Sequence, residues 1–278
     1  MKLIEPMEST EQDLNLALSF IKEQKGIDLS SYRKNFFLRR LRFRMQATGS
    51  ENCLSYINLI KKNNAEFNRF LDALAINVTE FFRDPDVFSA FSKIVIPQII
   101  QRKQATQHRV IRIWSAGCAS GEEAYSAAIL INEALAGKYD FLVRVWGTDM
   151  DSAALDEAKR AEYKANNLKE ASKELLNKYF IYLGDGVYKL KEEIGQMVKF
   201  IKHNLISDPP LKCMDIIFCR NVMIYLDRQQ QEALFRKFNR ALNPFGYLVI
   251  GKVEILWGDL KNLFIPAEPQ QRIYQKIG

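Results

Sequence analysis

The sequence of 278 residues predicts an α/β protein, in which a small all-α domain precedes a doubly wound, mostly parallel Rossmann-like sheet. Two observations carry this prediction. Short β-branched runs alternate with helical segments after about residue 110, an order typical of parallel sheets. Before residue 77 apolar residues recur at helical spacing and strand signals are few. We therefore expect a helical domain at 1–80, a linker and connecting helix at 81–109, and a sheet domain at 110–278.

Four helices are predicted in the first domain, at 11–24, 32–47, 52–62 and 65–75. The second helix is strongly basic, because six lysines and arginines and no acidic residue lie between positions 29 and 50. Arg33, Arg40 and Arg44 are spaced by seven and four residues and should share one face. This face is interpreted either as a solvated surface or as a site for an anionic partner.

The connecting helix should begin after Asp84, an expected N-cap residue, with Pro85 in the first turn, and run to about residue 103. Arg83 then stands at the junction of the two halves. Its neighbours Phe81 and Phe82 are expected to be core residues, which leaves a surface arginine as the simpler interpretation of Arg83.

The segment 110–125 predicts a strand, a glycine turn and a helix. Gly117 and Gly121 would let the backbone approach a ligand closely. No Gly-Lys-Ser/Thr triplet follows, and Glu122 and Glu123 occupy the helix start where a phosphate would otherwise bind. A cationic or neutral ligand is therefore favoured, and S-adenosylmethionine fits; a purely structural turn is the alternative.

Alternating strands and helices continue to the end of the chain. Strands are predicted at 110–114, 142–147, 197–201, 215–219, 247–250 and 272–276, and helices at 122–136, 153–161 and 228–242. Ligands bind at the carboxyl ends of such strands.

Polar residues follow three of these strands. Asp149 can accept ribose hydroxyls, since Asp151 already serves as the N-cap of the next helix. The other polar positions are Asn204 with Leu205, and Arg220 with Asn221 and, a few residues on, Tyr225.

An insertion at about 163–196 interrupts the sheet pattern. A helix is predicted at 168–180 and a β-hairpin with a Gly-Asp-Gly turn at 181–190. The hairpin could add a partner strand at its edge or pack as a flap on a neighbouring helix.

Composition narrows the functional classes. The formal charge of +7 permits an acidic partner, whether protein, nucleic acid or an anionic membrane face. No apolar run approaches the ~18 residues of a membrane span, so a soluble, cytoplasmic protein without membrane insertion is expected. The chain has four cysteines without a Cys-x-x-Cys pair and two histidines, and no metal site is expected.

Five sequence blocks together resemble the CheR family, the bacterial chemotaxis receptor methyltransferases that form glutamate methyl esters with S-adenosylmethionine. They are Asn77-Val-Thr-Glu-Phe-Phe-Arg83, Trp114-Ser-Ala with the Gly-Glu-Glu turn at Gly121, Thr148-Asp-Met-Asp151, His203-Asn-Leu205 and Phe218-Cys-Arg-Asn-Val-Met-Ile-Tyr225. In order and spacing they cover nearly the whole chain.

The resemblance implies a set of site residues. The cofactor ligands would be Asn77, Thr79, Arg83, Glu123, Asp149, Asn204, Leu205, Arg220 and Asn221. Arg83 and Tyr225 would lie beside the transferred methyl group. A glutamate acceptor is already ionised at neutral pH, so the reaction needs no strong general base.

The resemblance also implies a partner, the cytoplasmic domain of a methyl-accepting chemotaxis receptor. The basic second helix, with Arg33, Arg40 and Arg44, would bind its acidic methylation region, and the product would be S-adenosylhomocysteine. The hairpin would be the family's β-subdomain. Members that bind a receptor's C-terminal pentapeptide resemble one another in a longer glycine-rich turn ending in arginine. The turn at 183–187 departs from that pattern, so pentapeptide tethering is not expected.

Two other functions stay open on the sequence. The basic helix and Asp208-Pro209-Pro210 would suit a nucleic-acid methyltransferase, although Leu211 stands where such enzymes have an aromatic residue. A non-catalytic protein that senses S-adenosylmethionine and docks on receptors is the second. No nucleic-acid partner is expected on balance.

Overall fold

The computed structural model describes residues 11–25, 34–73, 79–136 and 140–278. The chain forms two compact units. One includes the helices before residue 79 together with Tyr225–Asp227, and the other includes the remaining residues.

Before residue 79, the described part of the first unit consists of helices joined by short loops, as predicted. Its helices are α1 Glu11–Lys25, α2 Lys34–Thr48, α3 Cys53–Lys62 and α4 Asn64–Ala73. The side chain of Asn52 accepts the Ser55 N–H at 2.8 Å and caps α3. In the core the ring of Phe70 packs edge to face on Phe37 and Tyr56, so aromatic contacts join α2, α3 and α4.

The second unit contains ten strands among its described residues, in two sheets. The strands are β1 Val110–Ala116, β2 Leu142–Asp149, β3 Glu162–Lys164, β4 Phe180–Gly184, β5 Val187–Leu190, β6 Val198–Lys202, β7 Met214–Cys219, β8 Leu242–Ile250, β9 Phe264–Glu268 and β10 Ile273–Lys276. The large sheet has seven strands in the order β6-β2-β1-β7-β8-β10-β9.

The large sheet is mostly parallel, which confirms the predicted fold class. The pairs β6–β2, β2–β1, β1–β7 and β7–β8 are parallel, whereas β10 pairs antiparallel with β8 and β9. All six residues of the central strand β7 are buried, as expected for a strand covered on both faces. All six predicted strands are present; β9 is an additional edge strand that contains Pro266.

Helices cover the sheet. They are α5 Pro85–Ala90, α6 Ile96–Ala105, α7 Glu122–Leu135, α8 Ser152–Arg160, α9 Lys173–Tyr179, α10 Glu192–Gly195 and α11 Arg228–Ala241. A π-helical turn, Phe91–Val95, joins α5 to α6 just before Pro97, whose ring nitrogen cannot donate a hydrogen bond. No helix in the described ranges is long and apolar enough to cross a membrane.

The insertion forms a small antiparallel sheet in the order β3-β5-β4. The predicted hairpin is present, and its turn residues Gly184, Asp185 and Gly186 all have positive φ. The predicted helix at 168–180 is shorter, because the Ser172 hydroxyl accepts the Leu175 N–H and starts α9 there.

Aromatic rings attach the insertion to the start of the second unit. The ring of Phe81 packs edge to face on Tyr163 at 4.8 Å and on Phe180 at 5.1 Å between centroids. The Phe81 N–H donates to the carbonyl of Asn167 at 2.8 Å. These contacts fix the segment that leads into Arg83.

Candidate active site

The candidate site lies at the carboxyl edge of the large sheet, where β6, β2, β1 and β7 run parallel and side by side. Asn204 follows β6, Asp149 ends β2, Glu123 lies just beyond the turn after β1, and Arg220 follows β7. The fold therefore gathers four of the predicted site residues at one edge. Their roles in cofactor binding stay predictions.

The turn after β1 needs glycine at two positions. Gly117 has φ +79° and Gly121 has φ +93°, which only glycine adopts readily. A Cβ on Gly117 would lie 2.5 Å from the Val222 side chain, and one on Gly121 would lie 2.8 Å from Phe200. A side chain at either position would therefore collide with a neighbouring side chain, and the close approach of a ligand to this turn stays a prediction.

Arg220 is the centre of the electrostatic network at this edge. Its side chain is only 2% exposed, and its Nη2 donates to the Arg83 carbonyl at 2.9 Å. The guanidinium also forms ion pairs with Asp84 and, at 3.4 Å, with Glu123, and it lies over the Phe88 ring. The residue after β7 therefore holds the Arg83 segment against the end of the sheet.

Asp84 was expected to cap the helix that starts at Pro85 with its side chain, and this prediction is wrong. Asp84 occupies the N-cap position with φ +59°, but it makes no side-chain cap hydrogen bond. Its carboxylate instead pairs with Arg220 and, at 3.3 Å, with Lys252. Two cationic partners offer stronger hydrogen bonds than the neutral backbone amides of a helix terminus.

Glu123 faces the site, with a side chain that is 13% exposed. Its carboxylate accepts the Ser115 hydroxyl at 2.8 Å and lies beside Arg220. Burial raises the pKa of Glu123, while Arg220, the Ser115 hydrogen bond and the charge of Arg83 pull this pKa back down. A cationic ligand beside this carboxylate would favour its ionised form further.

Glu122 points into the protein and has a structural role, which the sequence did not reveal. Its side chain is fully buried and accepts hydrogen bonds from Ser120 and from Asn167, both at 2.9 Å. Burial raises the pKa of Glu122 to about 7, although those hydrogen bonds oppose the shift. Through Asn167 the first turn of α7 is joined to the insertion.

Asp149 is held by backbone groups. Its two carboxylate oxygens accept the N–H groups of Ala119 at 2.8 Å and Asp151 at 3.0 Å. Burial raises the pKa of Asp149, and these N–H groups oppose that rise. Each oxygen keeps capacity for another donor, so a ribose diol fits chemically. As predicted, Asp151 rather than Asp149 caps α8, accepting the N–H groups of Ala153 and Ala154.

The loop that carries Asn204 and Leu205 is closed by a lysine from α11. The Asn204 side-chain carbonyl accepts the Ile206 N–H at 2.9 Å, and the backbone N–H of Asn204 donates to the Asp208 carboxylate at 2.8 Å. Lys237 Nζ donates to the carbonyls of Leu205, Ile206 and Asp208 at 2.7, 2.9 and 2.8 Å. Desolvation lowers the pKa of Lys237. The sequence offered no signal for this lysine.

The segment after Arg220 is held by a second buried acid. Asn221 has φ +61°, and Tyr225 ends the short 3₁₀ turn Met223–Tyr225. The carboxylate of Glu254 accepts the N–H groups of Met223 at 2.8 Å and Gly251 at 2.6 Å. Burial raises the pKa of Glu254, and the backbone N–H groups oppose the rise.

Two further predicted ligands lie at the start of the second unit. Thr79 and Arg83 are half-buried and flank the aromatic pair Phe81 and Phe82. Phe82 has φ +53°, and its N–H donates to the Ser126 hydroxyl of α7 at 2.9 Å. Asn77 lies outside the described residues.

No group of three or more metal-binding side chains of the His, Cys, Asp and Glu type occurs in the described ranges.

The sequence matches two family descriptions that together span most of the chain. Residues 77–273 match "CheR methyltransferase, SAM binding domain", and residues 12–75 match "CheR methyltransferase, all-alpha domain". The chain belongs to the CheR methyltransferase family.

Curated relatives agree with this assignment. The chain is 34% identical over 259 residues to the chemotaxis protein methyltransferase of Borreliella burgdorferi, covering 91% of each chain. It is 32% identical over 244 residues to the chemotaxis protein methyltransferase of Salmonella typhimurium, covering 84% of this chain and 80% of that one. This CheR methyltransferase is thus an S-adenosylmethionine-dependent enzyme.

The charged side chains at the sheet edge suit that cofactor. S-adenosylmethionine carries a sulfonium, an amino acid group and a ribose diol, and the edge offers carboxylates at Glu123 and Asp149 and a cation at Arg220. The residues present therefore fit the group.

In the helical unit of this CheR methyltransferase, the prediction that Arg44 shares an exposed basic face is wrong. Arg44 makes a bidentate ion pair with Glu66, with Nη2 2.8 and 2.6 Å from the two carboxylate oxygens. The Tyr56 hydroxyl donates to the same carboxylate at 3.0 Å, and Glu66 is 2% exposed. Arg44 is turned inward because a buried carboxylate needs a cationic partner.

The exposed cations of α2 lie at other positions. Arg40 is half-buried, whereas Arg39 and Arg42 are exposed, next to Phe43, which is 55% exposed. Arg33 lies outside the described residues.

Proposed function

We propose that this chain transfers the methyl group of S-adenosylmethionine to glutamate side chains of chemotaxis receptors, forming methyl esters and S-adenosylhomocysteine. The observation that carries the proposal is the Arg220 network, which fixes the Arg83 backbone beside Glu123 at the carboxyl edge of the sheet. The relatives' names as chemotaxis protein methyltransferases support the receptor as the substrate.

The chain's own residues would hold the cofactor from several strands. Asp149 would accept the ribose hydroxyls, Glu123 would lie near the cationic end, and Asn204 with Leu205 would contact the cofactor from the loop after β6. Arg220 and Asn221 would complete the site, with Thr79, Arg83 and the undescribed Asn77 from the segment before α5. When bound, S-adenosylmethionine supplies a methyl group activated by a positively charged sulfur.

The acceptor would need positioning rather than deprotonation. A glutamate side chain has a reference pKa of about 4.3 and is ionised at neutral pH. We assign Arg83 to holding the acceptor or cofactor carboxylate by charge-assisted hydrogen bonds, and Tyr225 to orienting the reacting groups. Alignment of this kind can lower a barrier by roughly 7 to 11 kcal/mol.

The histidine near the site, His203, has a structural contact. His203 is buried, its Nε2 donates to the Pro209 carbonyl at 3.0 Å, and its ring packs on Trp114. This side chain therefore holds the loop after β6 in place.

We propose that the helical unit recognises the acidic methylation region of the receptor. Arg39 and Arg42 are its exposed candidates, with Arg40 partly accessible, because Arg44 is committed to Glu66. The insertion would be the family's β-subdomain. Its edge strand β4 exposes Ile181. The turn of the hairpin is short, so we do not expect the insertion to bind a receptor's C-terminal pentapeptide.

The loop with Asp208, which suggested a nucleic-acid methyltransferase, does not favour that alternative. The Asp208 carboxylate accepts the Asn204 N–H at 2.8 Å and the Ser207 hydroxyl at 3.0 Å, so it serves the loop itself. Methyl transfer to receptor fragments would also separate the proposed enzyme from a non-catalytic sensor.

The proposal is tested by incubating the protein with tritiated S-adenosylmethionine and a receptor cytoplasmic fragment, then washing with mild alkali. We expect label on the fragment that alkali releases as methanol, the signature of a carboxyl methyl ester. Label that survives alkali, or label on RNA or DNA instead, would contradict the proposal.

Arg83→Ala sharpens this test, because it keeps the backbone carbonyl that accepts from Arg220. We expect turnover to fall about 100-fold, the usual effect of removing a group that stabilises the transition state. Arg160→Ala, at the exposed end of α8, is the matched control and should retain activity. Equal turnover in both variants would remove Arg83 from its assigned role.

A further inference from the structure

The segment 251–256, here called the β8 loop, displays apolar side chains at the carboxyl edge of the sheet. Val253 is 73% exposed and Ile255 is 50% exposed. The alternate residues Glu254 and Leu256 are both 6% exposed. The loop therefore presents one side to solvent and buries the other.

This exposure is built into the structure by the buried acid. Glu254 accepts the Gly251 and Met223 N–H groups and so ties the β8 loop to the segment after Arg220. A Cβ on Gly251 would lie 2.9 Å from the Asn221 nitrogen, so the loop already packs closely against that segment. With Glu254 fixed inward, the neighbouring Val253 and Ile255 are directed outward.

The loop also borders the candidate active site. Lys252 Nζ lies 3.3 Å from the Asp84 carboxylate, which pairs with Arg220 in turn. Asp84 directly follows Arg83, the residue assigned to the acceptor carboxylate. An exposed apolar pair thus lies next to the place where the acceptor would arrive.

We propose that the β8 loop binds the receptor segment that carries the acceptor glutamate, an inference that rests on the proposed function. The occupant is a helix with an apolar side chain three or four residues from the acceptor glutamate. Residues so spaced are neighbours about 5–6 Å apart on one helix face. The glutamate then meets Arg83 while its apolar neighbour packs on Val253 and Ile255.

Charge complementarity supports this occupant. Lys252 is 47% exposed, and the chain carries a formal charge of +7, whereas the acceptor segment is anionic at its glutamate. Apolar contact beside complementary charge is the usual anatomy of a specific interface. The β8 loop would therefore select which glutamates are methylated.

The test uses the full chain carrying Val253→Ser and Ile255→Ser together. Three quantities are measured: equilibrium binding of a labelled receptor cytoplasmic fragment, the KM and kcat of methyl transfer to it, and the Kd of S-adenosylmethionine. We expect the fragment Kd and KM to rise about tenfold, from the lost burial of two aliphatic side chains. The kcat and the cofactor Kd should stay at wild-type values.

Two further variants separate this role from a general effect. Ile265→Ser removes an equally exposed isoleucine, 47% exposed, from the edge strand β9 and should change nothing. A second double variant, Val253→Ile with Ile255→Val, keeps the surface apolar and should bind the fragment as tightly as the wild type does. Fragment binding at the wild-type level in the double serine variant, or an equal loss in Ile265→Ser, would overturn the inference.

The binding readout keeps this inference distinct from the proposed function. If the double serine variant binds the fragment about tenfold more weakly than the wild type, and neither protein forms an ester, the docking surface is supported and the proposed reaction is contradicted. If both proteins methylate the fragment with the same KM, the reaction stands and the surface fails.

Discussion

Replacing Arg44 by methionine should destabilise the helical unit rather than weaken receptor binding directly. The substitution leaves the Glu66 carboxylate, 2% exposed, without its bidentate partner. Breaking a buried ion pair costs about 3–5 kcal/mol. The Tyr56 hydroxyl still donates to Glu66, and Arg69 lies 3.7 Å away, so we expect the lower end, about 3 kcal/mol.

Hydrogen exchange of α2, α3 and α4 in the full chain measures this loss locally. A destabilisation of about 3 kcal/mol corresponds to roughly 100-fold faster exchange of their slowest amides. Arg44→Met with Glu66→Leu should recover most of the protection, since it removes both buried charges. Arg39→Met, at an exposed position of the same helix, is the control. Unchanged exchange in Arg44→Met, combined with a raised KM for the receptor fragment, would show instead that Arg44 binds the receptor and does not stabilise the helical unit.

Two other substitutions test residues that support the site. Glu122→Gln should become more stable relative to the wild type as pH rises. Burial raises the pKa of Glu122 from 4.5 to about 7 in the native state. Between these two pH values the native state keeps a proton that the unfolded state releases, so the stability of the wild type falls as pH rises. The relative gain should approach about 3 kcal/mol in denaturant titrations above pH ~7. Lys237→Met should weaken S-adenosylmethionine binding about tenfold in calorimetry, because three carbonyls of the Asn204 loop lose a charged donor.

Each of these has a clear contrary result. A stability difference between Glu122→Gln and the wild type that does not change with pH would show that Glu122 is ionised in both states. For Lys237 the control is Arg236→Met, which loses only an exposed contact with Glu232. Equal cofactor affinity in both α11 variants would mean that the loop keeps its shape without the lysine.

Local patterns in the sequence predicted the elements of the fold. The helical spacing before residue 77 and the alternation after residue 110 correspond to the helices and parallel strands observed. The strands that were missed have weak local signals: β3 has three residues, and β9 is an edge strand interrupted by Pro266. Short edge strands depend on their neighbours for pairing, which no local pattern records.

Contacts between distant residues could not be predicted in the same way. Glu122 and Glu123 are adjacent in one helical turn, yet one faces the Asn167 insertion and the other faces Arg220. Asp84 matched a cap signal, but its side chain binds a guanidinium 136 residues away. Only the folded chain decides which partner a carboxylate meets.

The same limit applies to the basic helix. Spacing placed Arg40 and Arg44 on one face, but spacing does not reveal that Glu66 is buried opposite one of them. The exposed positions Arg39 and Arg42 became visible only once the packing of α2 was known.

The proposed reaction is the formation of methyl esters on receptor glutamates. Mass spectrometry of a receptor cytoplasmic fragment, digested after incubation with the protein and S-adenosylmethionine, tests it most directly. We expect a mass increase of one methylene on glutamate side chains, reversed by mild alkali and strongly reduced with Arg83→Ala. Methylation confined to nitrogen atoms, or an unmodified fragment from a protein that binds the cofactor, would contradict it.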